Sequence, residues 1–164
     1  MNWEAIGAIG EVSGTIVIVL TLGYLAVQIR IAKSAAADTN RLTRASGVRE
    51  AHLAMVNNDQ LLESVISAYG AESYYQGFGD EFSISMKEAA RLDFMHQYWF
   101  WLHWGQFSSV NDPRDLQELS HIIEKFYSTP AVLYSWENSP YSRPMMDPIF
   151  VKFVDETIAP DNLE

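Results

Sequence analysis

The stretch that decides the fold is residues 12–29, VSGTIVIVLTLGYLAVQI. Its 18 residues carry no charge. They make about 27 Å of helix at ~1.5 Å per residue, and a transmembrane helix needs roughly 17–25 predominantly apolar residues. The run 5–10 (AIGAIG) is also apolar, so the span can begin earlier and take in Glu11. Trp3 and Tyr24 are placed for the two membrane interfaces, where amphipathic rings are favoured. A buried core helix is the competing reading, because Ile and Val are also good core formers. A cleaved leader fits less well. Signal peptides open with a basic region, and no Lys or Arg precedes this run, although 35–37 (AAA) resembles a small-residue cleavage site.

Outward from this stretch, charge sets an orientation. From 30 to 49 there are five basic residues, Arg30, Lys33, Arg41, Arg44 and Arg49, against one acidic residue, Asp38. The positive-inside rule makes this side cytoplasmic and leaves the N-terminus outside. Residues 50–164 carry six basic and 18 acidic groups. The expectation is a basic neck, with Arg30, Lys33, Arg41 and Arg44 at anionic lipid headgroups, followed by an acidic cytoplasmic domain. The chain has 164 residues and a net charge of -10. That length suits one domain, and that charge speaks against a nucleic-acid partner. Hydrophobic residues at 48% and aromatics at 13% exclude a disordered chain. With no cysteine, disulfides and thiolate chemistry are excluded as well.

Gly10 and Gly14 form a GxxxG pair, with Gly7 and Thr21 near the same stripe at heptad spacing. Small residues let two helix backbones approach closely in lipid, so this face is the expected interface with a second copy or a larger membrane complex. Glu11 lies beside it. In an oligomer a ring of Glu11 would bind a cation or proton, or hydrogen-bond across the interface. In the simpler alternative it sits at the outer interface, near the helix start, where water and the helix dipole accommodate a carboxylate.

Beyond the neck the period is helical. Leu42, Ala45, His52 and Val56 fall on one face. Asn57-x-x-Gln60 reads as a cap ahead of LLESVISAY, whose Leu61, Leu62, Val65, Ile66 and Tyr69 share a face. Residues 70–82 (GAESYYQGFGDEF) read as a Gly- and Tyr-rich connection. Ser85-x-x-Glu88 is a capping box opening the longest soluble helix, through about Phe107. Asp112-Pro113, Thr129-Pro130 and Asp147-Pro148 each pair a cap residue with proline at the first helical position. Phe150, Phe153, Val154 and Thr157 form a stripe that docks the last helix. Strand signals are weak. The expected fold is all-α: one N-terminal transmembrane helix, then a small cytoplasmic bundle of five or six helices. The expected divisions are 1–33 for the membrane helix and its flanks, 34–57 for the basic neck helix, and 58–164 for the acidic domain.

Chemistry is sparsely signalled. The segment FMHQYWFWLHWGQF (94–107) is aromatic on nearly all sides, as a central buried helix would be; an aromatic ligand pocket is the alternative. Asp93-x-x-His96 and Glu118-x-x-His121 place a carboxylate and a histidine three apart on two consecutive helices. Di-metal helical bundles use such pairs with further carboxylates, for which Glu50, His52 and Glu63 are available. The simpler reading is histidines held by local carboxylates. His103 reads as a packed or hydrogen-bonded histidine rather than a base. Arg143 is expected to pair with Glu137 or Asp147, with binding of an anionic ligand as the alternative. No GxSxG elbow, P-loop or HExxH is present, and no cofactor is called for.

Trp3, Gly7, Gly10, Glu11, Gly14, Leu22, Tyr24, Leu25, Ala26, Gln28, Ile29 and Arg30 form a pattern. It resembles the opening of a group of small bacterial single-pass membrane-anchored proteins. Trp136 and Phe150 before the last helix are similar to theirs, less specifically. The resemblance implies an inner-membrane topology and brings no assigned activity. The functional expectation is a non-enzymatic scaffold, accessory subunit or regulator. Its lipid bilayer has anionic headgroups, and its helix meets a homo-oligomer or a larger membrane complex. The alternatives are an ion or proton pathway through Glu11 and a di-metal enzyme using Asp93, His96, Glu118 and His121.

Overall fold

The 18 uncharged residues at 12–29 lie within a single helix, α1 (Trp3–Asn57), which continues without a break through the basic segment. The structure is a computed structural model that describes residues 2–110 and 112–159, apart from the side chain of Ala5. The last five positions of the expected 58–164 domain lie outside the described residues. Every described element is helical: α2 (Asp59–Tyr69), α3 (Glu72–Phe82), α4 (Met86–Ser109), α5 (Pro113–Tyr127), α6 (Pro130–Asn138) and α7 (Pro148–Thr157), with a 3₁₀ turn at Arg143–Met145. The chain divides into two units, residues 1–40 and 41–164. The first unit is α1 up to residue 40, and none of its most apolar 18-residue window is buried.

The second unit is organised by α4. Ser85 opens it with the full capping box: its hydroxyl accepts from the Glu88 N–H, and the Glu88 carboxylate accepts from the Ser85 N–H. Two apolar clusters meet on this helix. In one, Phe100 of α4 joins Ile123 and Tyr127 of α5, Trp136 of α6, and Phe150 and Val154 of α7. In the other, Ala90 and Phe94 join Leu62 and Ile66 of α2 and Tyr75 of α3. The aromatic helix is therefore central, as its composition suggested. Ala45 of α1 reaches the first cluster. It lies in line with Gly105, where an added Cβ would stand 3.7 Å from it.

Asp112 and Asp147 accept hydrogen bonds from the N–H groups of Arg114 and Ile149, so both Asp-Pro caps form. Thr129 stands at the α6 N-cap without a side-chain bond.

Three local readings are corrected. The cap of α2 is Asn58, whose side chain accepts from the Leu61 N–H; Asn57 is the last residue of α1 and bonds back to the Leu53 carbonyl. Residues 72–82, read as a connection, form α3. Burial of Tyr75 and Phe78 outweighs the low helix propensity of its two glycines. Arg143 pairs with Asp155 at 2.5 Å, not with Glu137 or Asp147. Asp155 also accepts from the Trp136 indole at 3.0 Å, which ties α6 and the 3₁₀ turn to α7.

Candidate functional site

From Asp93 onward, α4 buries a polar face at helical spacing: Asp93, His96, Gln97 and, two turns on, His103. Phe94 and Phe100, beside this face, anchor α4 in both apolar clusters, and that packing draws the polar groups inside. Neighbouring elements supply their partners. From α3, the Tyr74 hydroxyl donates to Asp93 Oδ1 at 2.9 Å, and the Tyr75 hydroxyl to Oδ2 at 3.4 Å. Beyond α6, the Ser139 hydroxyl donates to Oδ2 at 3.1 Å. Gln97 Nε2 in turn donates to Ser139 Oγ at 3.3 Å. His96 Nδ1 and Ser135 Oγ of α6 are 2.8 Å apart.

Asp93 is fully buried. Burial pushes its carboxyl up to about 6, against hydrogen bonds from Ser135, Tyr74, Ser139 and Gln97 that favour the ionised form. Burial also pushes His96, His52 and His103 each down to about 4. The Tyr74 and Tyr75 hydroxyls are held protonated, first by burial and then by the neighbouring Asp93 charge. Clefts on this unit open elsewhere, over Gln106 and Glu118 in one case and Val56 and Met95 in another. The cluster lies between α3, α4 and α6, joined by these hydrogen bonds.

The four-residue metal set is not assembled. Asp93 and His96 lie in this interior cluster, whereas Glu118 and His121 are exposed on α5. That helix turns Leu119, Ile123 and Tyr127 inward, which sends Glu118 and His121 to its outer side. His121 stands 3.8 Å from Glu124. Among the described residues, no three or more His, Asp or Glu side chains are grouped to hold a metal ion. Of the supporting ligands considered, Glu50 is exposed. His52 packs against Phe94, with ring centroids 5.7 Å apart, and Glu63 pairs with Lys87 at 2.7 Å.

The α1 residues read from sequence are all exposed: Gly7, Gly10, Glu11, Gly14 and Thr21, and the basic Arg30, Lys33, Arg41 and Arg44. A Cβ added at Gly7, Gly10 or Gly14 would meet nothing within 4 Å. The Thr21 hydroxyl donates back to the Val17 carbonyl at 2.8 Å.

Sequence reasoning missed Tyr74, Tyr75, Ser135 and Ser139. Their only trace is a carboxylate on a face that the aromatic pattern buries, since such a group requires donors from elsewhere in the chain. Comparison of the chain with protein-family models, curated proteins and solved structures finds no match.

Proposed function

We propose that this chain is a non-enzymatic, single-pass membrane protein. In this reading α1 anchors an acidic helical domain at the cytoplasmic face of a bacterial inner membrane. The observation that carries the reading is the complete exposure of the apolar window in α1. Ile9, Leu20 and Ile29 are each 67% exposed, where a core helix of a soluble protein would bury such side chains. A surface of this length and continuity matches the hydrocarbon thickness of a bilayer. Arg30 and Lys33, the first basic residues after it, suit the anionic headgroup layer.

The stripe Gly7, Gly10, Gly14 and Thr21, with Glu11 beside it, offers close backbone approach to a second helix in lipid. On this account the helix meets another copy or a larger membrane complex, and the acidic domain acts as its scaffold or accessory subunit.

The reading is tested by washing membranes of expressing cells at alkaline pH and weighing the retained protein by mass spectrometry. The full 18.6 kDa chain is expected to stay with the bilayer. Release into the wash, or retention of a form cut near 35–37, would overturn it.

A further inference from the structure

The inner sides of α4 enter both apolar clusters, yet its outer side is apolar too. There Leu92, Met95, Trp99, Leu102, Gln106 and Ser109 follow one another three and four residues apart in alternation, the spacing of a seam between two helices. Leu92, Met95 and Leu102 are half-buried, and Trp99 is 38% exposed. The outward strip of a surface helix is normally polar. Single surface apolar residues are ordinary, whereas a row of them marks an interaction site.

Two helices frame this strip. On one side, Leu42 and Arg49 of α1 line a groove with Gly105, Gln106 and Ser109. On the other, Asp115, Glu118 and Ile122 of α5 line a groove with the same Gln106 and Ser109. Leu42 is 45% and Ile122 48% exposed, so apolar surface reaches across both margins. The margins differ in charge. The α1 margin carries Arg49, whose guanidinium lies 5.8 Å from the centre of the Tyr98 ring. The α5 margin carries Asp115 and Glu118.

That difference in charge selects the occupant. A second copy, turned half a revolution about an axis running along α4, sets its own strip against this one. Each Arg49 margin then faces the Asp115 and Glu118 margin of the other copy. The strip meets itself layer by layer, Leu92 opposite Leu92 and Gln106 opposite Gln106, and a polar layer of this kind fixes register. In an antiparallel pair, margins of like charge would face each other, which opposes association. We propose that α4 packs in parallel against α4 of a second copy through this strip. The contact lies within residues 41–164 and does not depend on α1 crossing a bilayer.

The chain contains no cysteine, so single thiols report the contact. Full-length Leu92→Cys, Gln106→Cys and Lys152→Cys proteins in mild detergent are treated with a short bismaleimide, and the products are weighed by mass spectrometry. Positions 92 and 106 lie about 21 Å apart at ~1.5 Å per residue, beyond the reach of such a reagent. A covalent dimer is expected from Leu92→Cys alone and from Gln106→Cys alone, with little from Lys152→Cys on the exposed side of α7. Gln106 is exposed, so its replacement reads the contact even where Leu92→Cys disturbs folding. A dimer formed only between Leu92→Cys and Gln106→Cys chains would mean an antiparallel pair and would overturn the proposal. So would yields at 92 and 106 no higher than at 152, or a product whose mass is not that of two copies. Because the readout needs no membrane, release of the protein by an alkaline wash would leave it standing.

Discussion

His52, His96 and His103 lie within the second unit, and burial lowers each to about 4. His52 Nδ1 and His103 Nδ1 have no hydrogen-bond partner. An imidazolium donates from both nitrogens, so protonating either ring in place would add an unmet donor. Unfolded histidines titrate near 6.5, so between about 6.5 and about 4 the unfolded chain binds protons that the folded unit refuses. Stability is fully present above the unfolded value and is lost as pH falls through this window. Each histidine contributes on the order of 3 kcal/mol. Asp93, raised to about 6, acts in the opposite sense: the folded form gains on its account, by roughly 3 kcal/mol, as pH falls. Three groups outweigh one. The melting midpoint of the full-length protein in detergent should therefore fall steeply from about pH 6 to about pH 4; a flat profile would contradict the burial of these rings. Little of this was legible in the sequence. Spacing gave Asp93 and His96 as neighbours on one helix face, but their actual partners lie 18 to 46 residues away. Residue spacing along one helix carries no information about such separations.

At the scale of elements, legibility followed locality. The Ser85–Glu88 box and the Asp112 and Asp147 caps are written within three residues, and all form. Helix α3 is not written locally. Its glycines and polar residues read as a loop, and the burial of Tyr75 and Phe78 at 0% exposure overrides them. The two glycines of α3 also differ in role. A Cβ at Gly79 would stand 2.6 Å from the Ile84 carbonyl oxygen, where the chain turns back into α4. At Gly77 the nearest atom would be the Tyr134 hydroxyl at 3.6 Å, an ordinary contact. Gly79→Ala should therefore cost about 1–3 kcal/mol through backbone displacement. Gly77→Ala should be neutral or gain up to ~1 kcal/mol in helix propensity. Chemical denaturation of the two variants checks this, and equal stabilities would contradict the close α3–α4 turn.

For the whole molecule, the division of charge and hydropathy along the chain is the strongest signal, and it was legible from the start. The first unit exposes its apolar window completely. The second has its own aromatic core and most of the acidic residues. The composition that announced an aromatic central helix was borne out in α4, which contributes Phe100 and Trp104 to one apolar cluster and Ala90 and Phe94 to the other. The four residues of the two carboxylate-histidine motifs are kept apart for the complementary reason. Two short motifs on consecutive helices say nothing about which side of α5 faces inward, and Leu119, Ile123 and Tyr127 decide that.

The central claim is that α1 crosses a bilayer, and its most direct test is the sidedness of its two ends. The chain contains no cysteine, so Asn2→Cys and Asn57→Cys each introduce a unique thiol. Spheroplasts expressing either variant are treated with a membrane-impermeant maleimide before and after lysis. The account predicts labelling of position 2 from outside and of position 57 only after lysis. Labelling of both positions only after lysis, or of both from outside, would contradict it.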